Sequence, residues 1–214
     1  VKGIFITIEG PDGAGKTSVI KELGPKLANE LNRPLVLTRE PGGIPIAEKI
    51  RNIILDPKNT EMDERTEALL YAAARRQHLV EKILPAIEAG KLILCDRFVD
   101  SSLAYQGAGR RIGMAEVASI NEFAIESVTP DLTLYLDVDS DTGLSRIQQG
   151  RSLAELDRLD VESPVFHQRV RHAYLKLAEE NPERIVMIDA RESLEVVIEH
   201  CFAAISEQFP ELFN

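Results

Sequence analysis

An eight-residue run near the amino terminus, Gly10-Pro11-Asp12-Gly13-Ala14-Gly15-Lys16-Thr17, has the spacing G-x-x-x-x-G-K-[ST]. Its glycines let the backbone fold tightly with N–H groups turned inward, a nest for an anion. Lys16 is placed to reach the outer phosphates of a nucleoside triphosphate, and the Thr17 hydroxyl to ligate Mg2+. The β-branched run Ile4–Ile8 precedes the motif, and an amphipathic stretch from Thr17 to about Asn32 follows it. A strand therefore feeds the motif and a helix leaves it. The helix start adds free N–H groups and a positive dipole end. A glycine-rich turn that binds nothing is the plain alternative, and the full motif in this context outweighs it. The cradle specifies a nucleoside triphosphate and leaves GTPases, ATP-driven motors and small-molecule kinases open.

The remaining polar clusters narrow the choice. Asp96-Arg97 closes the apolar run Leu92–Cys95. Strand ends of open α/β sheets face the ligand crevice, so Asp96 suits Mg2+ and Arg97 suits a phosphate; a strand-end salt bridge is the alternative. Thr38-Arg39-Glu40-Pro41-Gly42-Gly43 is a rigid polar loop after a second strand, and Arg51 follows in the next helical pattern. Either Arg39 or Arg51 is within reach of an acceptor phosphate. Tyr71 and Arg75 stand four apart, and Ser102, Tyr105 and Gln106 share a short helical pattern. Such residues can stack on a base and read its edge, although each pair alone is equally ordinary surface or core.

These residues must be positioned by a regular framework. Five short apolar strands, 4–8, 35–38, 92–95, 132–136 and 185–188, alternate with helical patterns. The pattern predicts an α/β/α fold, a five-stranded parallel sheet covered by helices on both faces. Residues 1–214 are expected to form one domain. The polar stretch 148–163 reads either as an exposed loop or as a short mobile lid.

The composition sets limits on partners. The chain has 25 Lys+Arg against 35 Asp+Glu, a net charge of −10. That excess disfavours coating a nucleic-acid polymer or docking on an anionic membrane. Sixteen arginines against nine lysines still favour a locally basic phosphate cleft. Cys95 and Cys201, both in apolar runs, read as buried free thiols, which suits a cytoplasmic location.

Taken together, Gly10–Thr17, Thr38–Gly43, Ala74-Arg75-Arg76, Asp96-Arg97-Phe98 and Asp100–Gly107 resemble bacterial thymidylate kinases, a family of P-loop nucleoside-monophosphate kinases. The resemblance implies transfer of the γ-phosphoryl of ATP to dTMP with Mg2+, giving dTDP on the way to dTTP. It implies that Tyr71 stacks on thymine, Arg75 meets its O4 edge, and Ser102 and Gln106 meet the base. Tyr105 would crowd a ribose 2′-hydroxyl, and Asp12 would bond the 3′-hydroxyl. Arg51 and Arg97 would hold the dTMP phosphate, with Glu40 nearby. Some relatives carry an arginine after the cradle's acidic residue; Gly13 stands there, so Arg151 and Arg158 of the lid would supply that charge. Arg146 would flank adenine. A homodimer through the helices at 63–89 and 114–127 is also implied. Two competitors stay open: a deoxynucleoside kinase, with Glu9 or Glu40 as base, and a nucleotide-dependent switch, although no N-K-x-D tetrad occurs.

Overall fold

The computed structural model describes residues 2–150 and 156–213. Five parallel strands form one sheet: β1 (Ile4–Glu9), β2 (Leu35–Arg39), β3 (Leu92–Asp96), β4 (Leu132–Asp137) and β5 (Ile185–Asp189), in the order β2-β3-β1-β4-β5. In-register pairs such as Ile6↔Leu94, Leu37↔Leu94 and Ile8↔Leu134 align the carboxyl ends along one edge.

Alternation along the strands assigns the two faces. Ile6, Ile8, Leu92 and Leu94 pack against Val19, Leu23 and Leu27 of α1 (Lys16–Glu30) and Val197, Cys201 and Ile205 of α9 (Leu194–Gln208). Phe5, Ile93 and Cys95 point the other way, toward Leu79 and Ile83 and toward Ala124 of α6 (Met114–Ile125). Tyr135 joins that second face against Phe166, Val170 and Tyr174 of α8 (Pro164–Glu180). Each buried aliphatic side chain contributes roughly 1.5–3 kcal/mol, so the three-layer arrangement follows from the pattern.

Helix ends are set by local chemistry. Ser163 accepts from the Phe166 N–H and Pro164 opens α8, while Asp63 caps α3 (Glu64–His78) by accepting from Arg65 and Thr66 N–H groups. By contrast, α1 starts without a side-chain cap, at Gly15 with φ 90. Its first N–H groups are thereby left for an anion.

Two helices depart from the expected regular form. The 63–89 pattern is α3, a π-helical turn Leu79–Ile83, and α4 (Leu84–Glu88). Pro85 lacks the N–H that an unbroken α-helix would use, and the wider turn lies just before it. Likewise α5 (Val99–Ser102) passes into a π-helix, Leu103–Gly109. Completing the order are α2 (Pro45–Leu55) and α7 (Ser140–Gly150). A 3-10 turn at Pro210–Leu212 follows α9 and does not show in the sequence pattern. Among the described residues, no helix is long and apolar enough to cross a membrane. Cys95 and Cys201 are buried free thiols, as expected.

The cradle and α7 meet backbone to backbone. A Cβ on Gly13 would lie 2.1 Å from the Gly143 carbonyl oxygen, and Gly13 has φ 79. Gly13→Ala is expected to lower stability by about 2 kcal/mol through strain and this clash. For a chain of this size that is a drop in Tm of roughly 4–8 °C. An unchanged thermal midpoint would contradict the tight packing.

Candidate active site

Three strand ends deliver the site. Gly10 follows β1, Glu40 follows β2 and Arg97 follows β3, so the cradle and two charged loops share one edge of the sheet. Between them lies a cleft of about 340 Å³. Lys16, Arg39, Arg51, Arg75 and Arg97 line it together with Asp12, Glu40 and Asp96.

Arg97 is a non-glycine residue with φ 70, in the left-handed region. Such a backbone costs on the order of 1–3 kcal/mol and persists only when its surroundings fix it. Here Nη1 donates to the Gly10 carbonyl (3.0 Å), Ser101 Oγ (3.0 Å) and Tyr174 OH (3.2 Å), and Nη2 to Asp12 Oδ1 (2.8 Å) and Tyr105 OH (3.3 Å). Tyr105 in turn donates to Asp12 Oδ2 at 2.6 Å. Burial pushes the Asp12 carboxyl up, but the charges of Arg97 and Lys16 and the Tyr105 hydroxyl outweigh it and hold it at about 2. Lys16 donates to the Gly10 and Pro11 carbonyls at 3.1 and 3.2 Å. Burial, then the Arg97 charge, brings its ammonium down to about 8.

The opposite wall is read off α3. Glu67, Tyr71 and Arg75 recur every four residues, and all three are buried. Arg75 Nε donates to Glu40 Oε2 (2.7 Å), Nη1 to Ser102 Oγ (3.0 Å) and to Asn121, and Nη2 to the Phe98 carbonyl (2.9 Å). Glu40 is also bonded to His78 Nδ1 (2.9 Å). Ser102 at the end of α5, and Tyr105 and Gln106 in the π-helical segment that follows, line the cleft. The expected α-helical face is thus replaced by a wider turn, although the three side chains still converge. Arg51 donates to the Pro41 carbonyl (2.9 Å) beside Arg39, which pairs with Glu48 (2.8 Å).

Thr17 and Asp96 flank Lys16 in the cleft. Asp96 Oδ1 is buried without a hydrogen-bond partner. A hydroxyl and an unsatisfied carboxylate oxygen beside a phosphate cradle suit a hard, oxygen-seeking cation such as Mg2+.

The lid expectations divide. Arg151 lies outside the described residues. Within 156–163, Arg158, Leu159 and Asp160 are buried, so that part is not the exposed loop its polarity suggested. Asp157 and Leu159 line the cleft, but Arg158 between them turns away. Its guanidinium donates to the Ile54 carbonyl (3.0 Å) and to Glu67. Lys16, Arg39, Arg51, Arg75 and Arg97 therefore share the cleft, and Arg158 is not among its lining. Arg146 sits behind the cradle, donating to the Ala190 carbonyl (3.0 Å) and reaching the Gly13 carbonyl at 3.5 Å.

Glu67, Asn121, His78 and Tyr174 were not singled out from the sequence. For Glu67 a signal existed, its four-residue spacing from Tyr71. For Tyr174 none did, since its partners Glu9 (2.8 Å) and Ser101 (2.9 Å) are distant in sequence. Glu9 is enclosed there, and burial together with Asp100 raises its carboxyl to about 7.

A parallel sheet with a Gly-Lys-Thr cradle at the amino end of α1, and a second polar wall facing it, defines a nucleotide-binding α/β protein of the P-loop class. Comparison with known proteins narrows the class. The thymidylate kinase family model matches residues 8–200. The chain is 73% identical over 213 residues to a thymidylate kinase of Enterococcus faecalis, spanning 100% of each chain. It is 59% identical to one of Lacticaseibacillus casei, over 99% of each. A crystal structure of thymidylate kinase from Ehrlichia chaffeensis superposes with a TM-score of 0.75 at 32% identity, covering 96% of this chain and 99% of that one. The chain belongs to the thymidylate kinase family.

The lowered Lys16 ammonium gives a signed pH dependence. The cation is present below about pH 8 and lost above it. Affinity of the free protein for ATP, measured by calorimetry, is expected to fall as pH rises through about 8. A flat profile from about pH 7 to 9 would contradict this.

Proposed function

We propose that this chain transfers the γ-phosphoryl of ATP to the 5′-phosphate of dTMP, giving dTDP and ADP. The observation that carries the reading is one cleft with two unlike walls. One wall is the phosphate cradle with Lys16 and Arg97; the other holds Tyr71, Arg75, Ser102 and Gln106, a set suited to one planar base. Arg51 and Arg39 lie at the cleft beside Pro41 and suit the acceptor phosphate. Gly10–Thr17 would receive the ATP phosphates, with Arg146 at the outer side of the cradle beside adenine.

The chemistry asks little of a base, because the attacking phosphate oxygen is already ionised at neutral pH. Positioning and charge neutralisation carry the reaction. Lys16 follows charge onto the β- and γ-phosphates, and Arg97 faces both phosphates from the end of β3. Thr17 and Asp96 would hold Mg2+, which supplies further neutralisation of the triphosphate when bound. Asp12 and Tyr105, locked to each other, fit the sugar side of dTMP. Arg158 stands on Glu67 in this conformation, so a role at the transferring phosphoryl requires it to leave that partner.

The deoxynucleoside kinase alternative is poorly supported. Glu9 bonds the Phe98 N–H (2.6 Å), Ser101 and Tyr174, and Glu40 is tied to Arg75 and His78. Neither base candidate is free to accept a hydroxyl proton.

We assign the activity to one domain, 1–214, acting in the cytoplasm as a homodimer on small molecules only. Leu69 of α3 and Phe123 of α6 are exposed, at 55% and 90%, on two helices that pack together. Light scattering after gel filtration is expected to give twice the chain mass of 23.8 kDa; a monomer overturns that assignment.

An ADP-release assay with dTMP, dGMP and thymidine tests the activity, with dTMP expected as the preferred acceptor and thymidine inert. Lys16→Ala and Arg97→Ala are expected to lower kcat by about 100-fold or more with the fold retained. Phosphorylation of thymidine but not dTMP would overturn the reading.

A further inference from the structure

We infer that Glu67 is a specificity-positioning residue, which pins the Gln106 side-chain amide so that its carbonyl oxygen faces the base. The inference rests on the proposed dTMP acceptor. An amide has a donor end and an acceptor end, and nothing in its shape alone decides which faces a ligand. Here the neighbour decides. Gln106 is buried, lines the cleft, and gives its Nε2–H to Glu67 Oε1 at 2.7 Å. Glu67 is itself fully buried and is the counterion of two guanidiniums. Arg110 reaches Oε1 and Oε2 at 3.2 Å each, and Arg158 reaches Oε2. A carboxylate in that position accepts hydrogen bonds and has none to donate. The amide nitrogen must therefore turn toward Glu67, and Oε1 toward the cleft.

The consequence is a sign of selection. Thymine and uracil carry an N–H at ring position 3, and cytosine carries a lone pair there. The presented Oε1 accepts from the first two and repels the third. Glu67 does not touch the base in this arrangement; it acts through Gln106. Its place one helical repeat before Tyr71 and two before Arg75 puts the control of the amide on the same helix as the rest of the base wall.

Steady-state kcat/KM for dTMP, dUMP and dCMP tests this in the wild type, Glu67→Gln, Gln106→Leu and the double variant. Glu67→Gln offers either end of an amide to Gln106 and so allows it to flip. The dTMP/dCMP ratio is expected to fall about tenfold, the worth of one hydrogen bond. The dTMP/dUMP ratio should stay unchanged, because both bases show the same edge. In the Gln106→Leu background, Glu67→Gln should no longer move the dTMP/dCMP ratio. An equal loss on all three substrates would overturn the inference, since a merely structural role predicts that. Should Glu67→Gln not fold, Glu67→Asp keeps the charge for Arg110 and Arg158 while withdrawing the carboxylate from Gln106. The same fall in ratio is expected, and an unmoved ratio overturns the inference. A wild type indifferent between dTMP and dCMP would instead overturn the base reading beneath it.

Discussion

The cleft depends on the strained turn that places Arg97 at the end of β3. Its left-handed backbone would be abandoned if the guanidinium had nothing to hold. Five acceptors hold it, and they come from separate parts of the chain: the cradle, α5, the π-helical segment and α8. Arg97 thereby fastens the second wall of the cleft to the first. The two walls keep their spacing because one side chain spans them. The same contacts lock Asp12 to Tyr105, so the sugar side of the cleft is set by the knot as well.

This organisation reconciles an acidic protein with a phosphate cleft. The excess of negative charge does not reach the basic groups of the cleft at random. Lys16 rests on carbonyls of its own cradle, Arg51 on the Pro41 carbonyl, and Arg75 on Glu40. Carbonyls are neutral acceptors that an incoming phosphate displaces without leaving a charge unpaired. Arg75 is different: Glu40 is buried with it, so removing either partner leaves an uncompensated charge, which typically costs 3–5 kcal/mol. Arg75 is therefore part of the wall as well as a base contact. A kinase that must hold two polyanions gains from this division, since Lys16 and Arg51 rest on carbonyls that a phosphate can replace while Arg75, paired with Glu40, shapes the base pocket.

Much of the framework was legible because apolar alternation and glycine placement are local properties. All five strands, the cradle and its helix follow from runs of a few residues. Most candidate site residues were legible for a similar reason, being clustered near strand ends or spaced four apart. What stayed hidden was pairing across distance. Nothing near Tyr174 announces that it meets Glu9, 165 residues away. Nor does the polarity around Arg158 show that its guanidinium is buried on Glu67. A charged residue in a polar stretch reads as solvated until its buried counterion is known. The π-helical turns were hidden too, because they arise from Pro85 and from packing, and periodicity alone resembles an ordinary helix.

In the proposed reaction one cleft binds both nucleotides end to end, with their phosphates meeting between Lys16 and Arg97. The most direct measurement is calorimetric titration with an adenosine and a deoxythymidine joined 5′ to 5′ through a chain of phosphates. One equivalent is expected to bind per chain, more tightly than either nucleotide alone, and to be displaced by both ATP and dTMP. Binding that only one of the two nucleotides displaces, or that is no tighter than ATP alone, would contradict it.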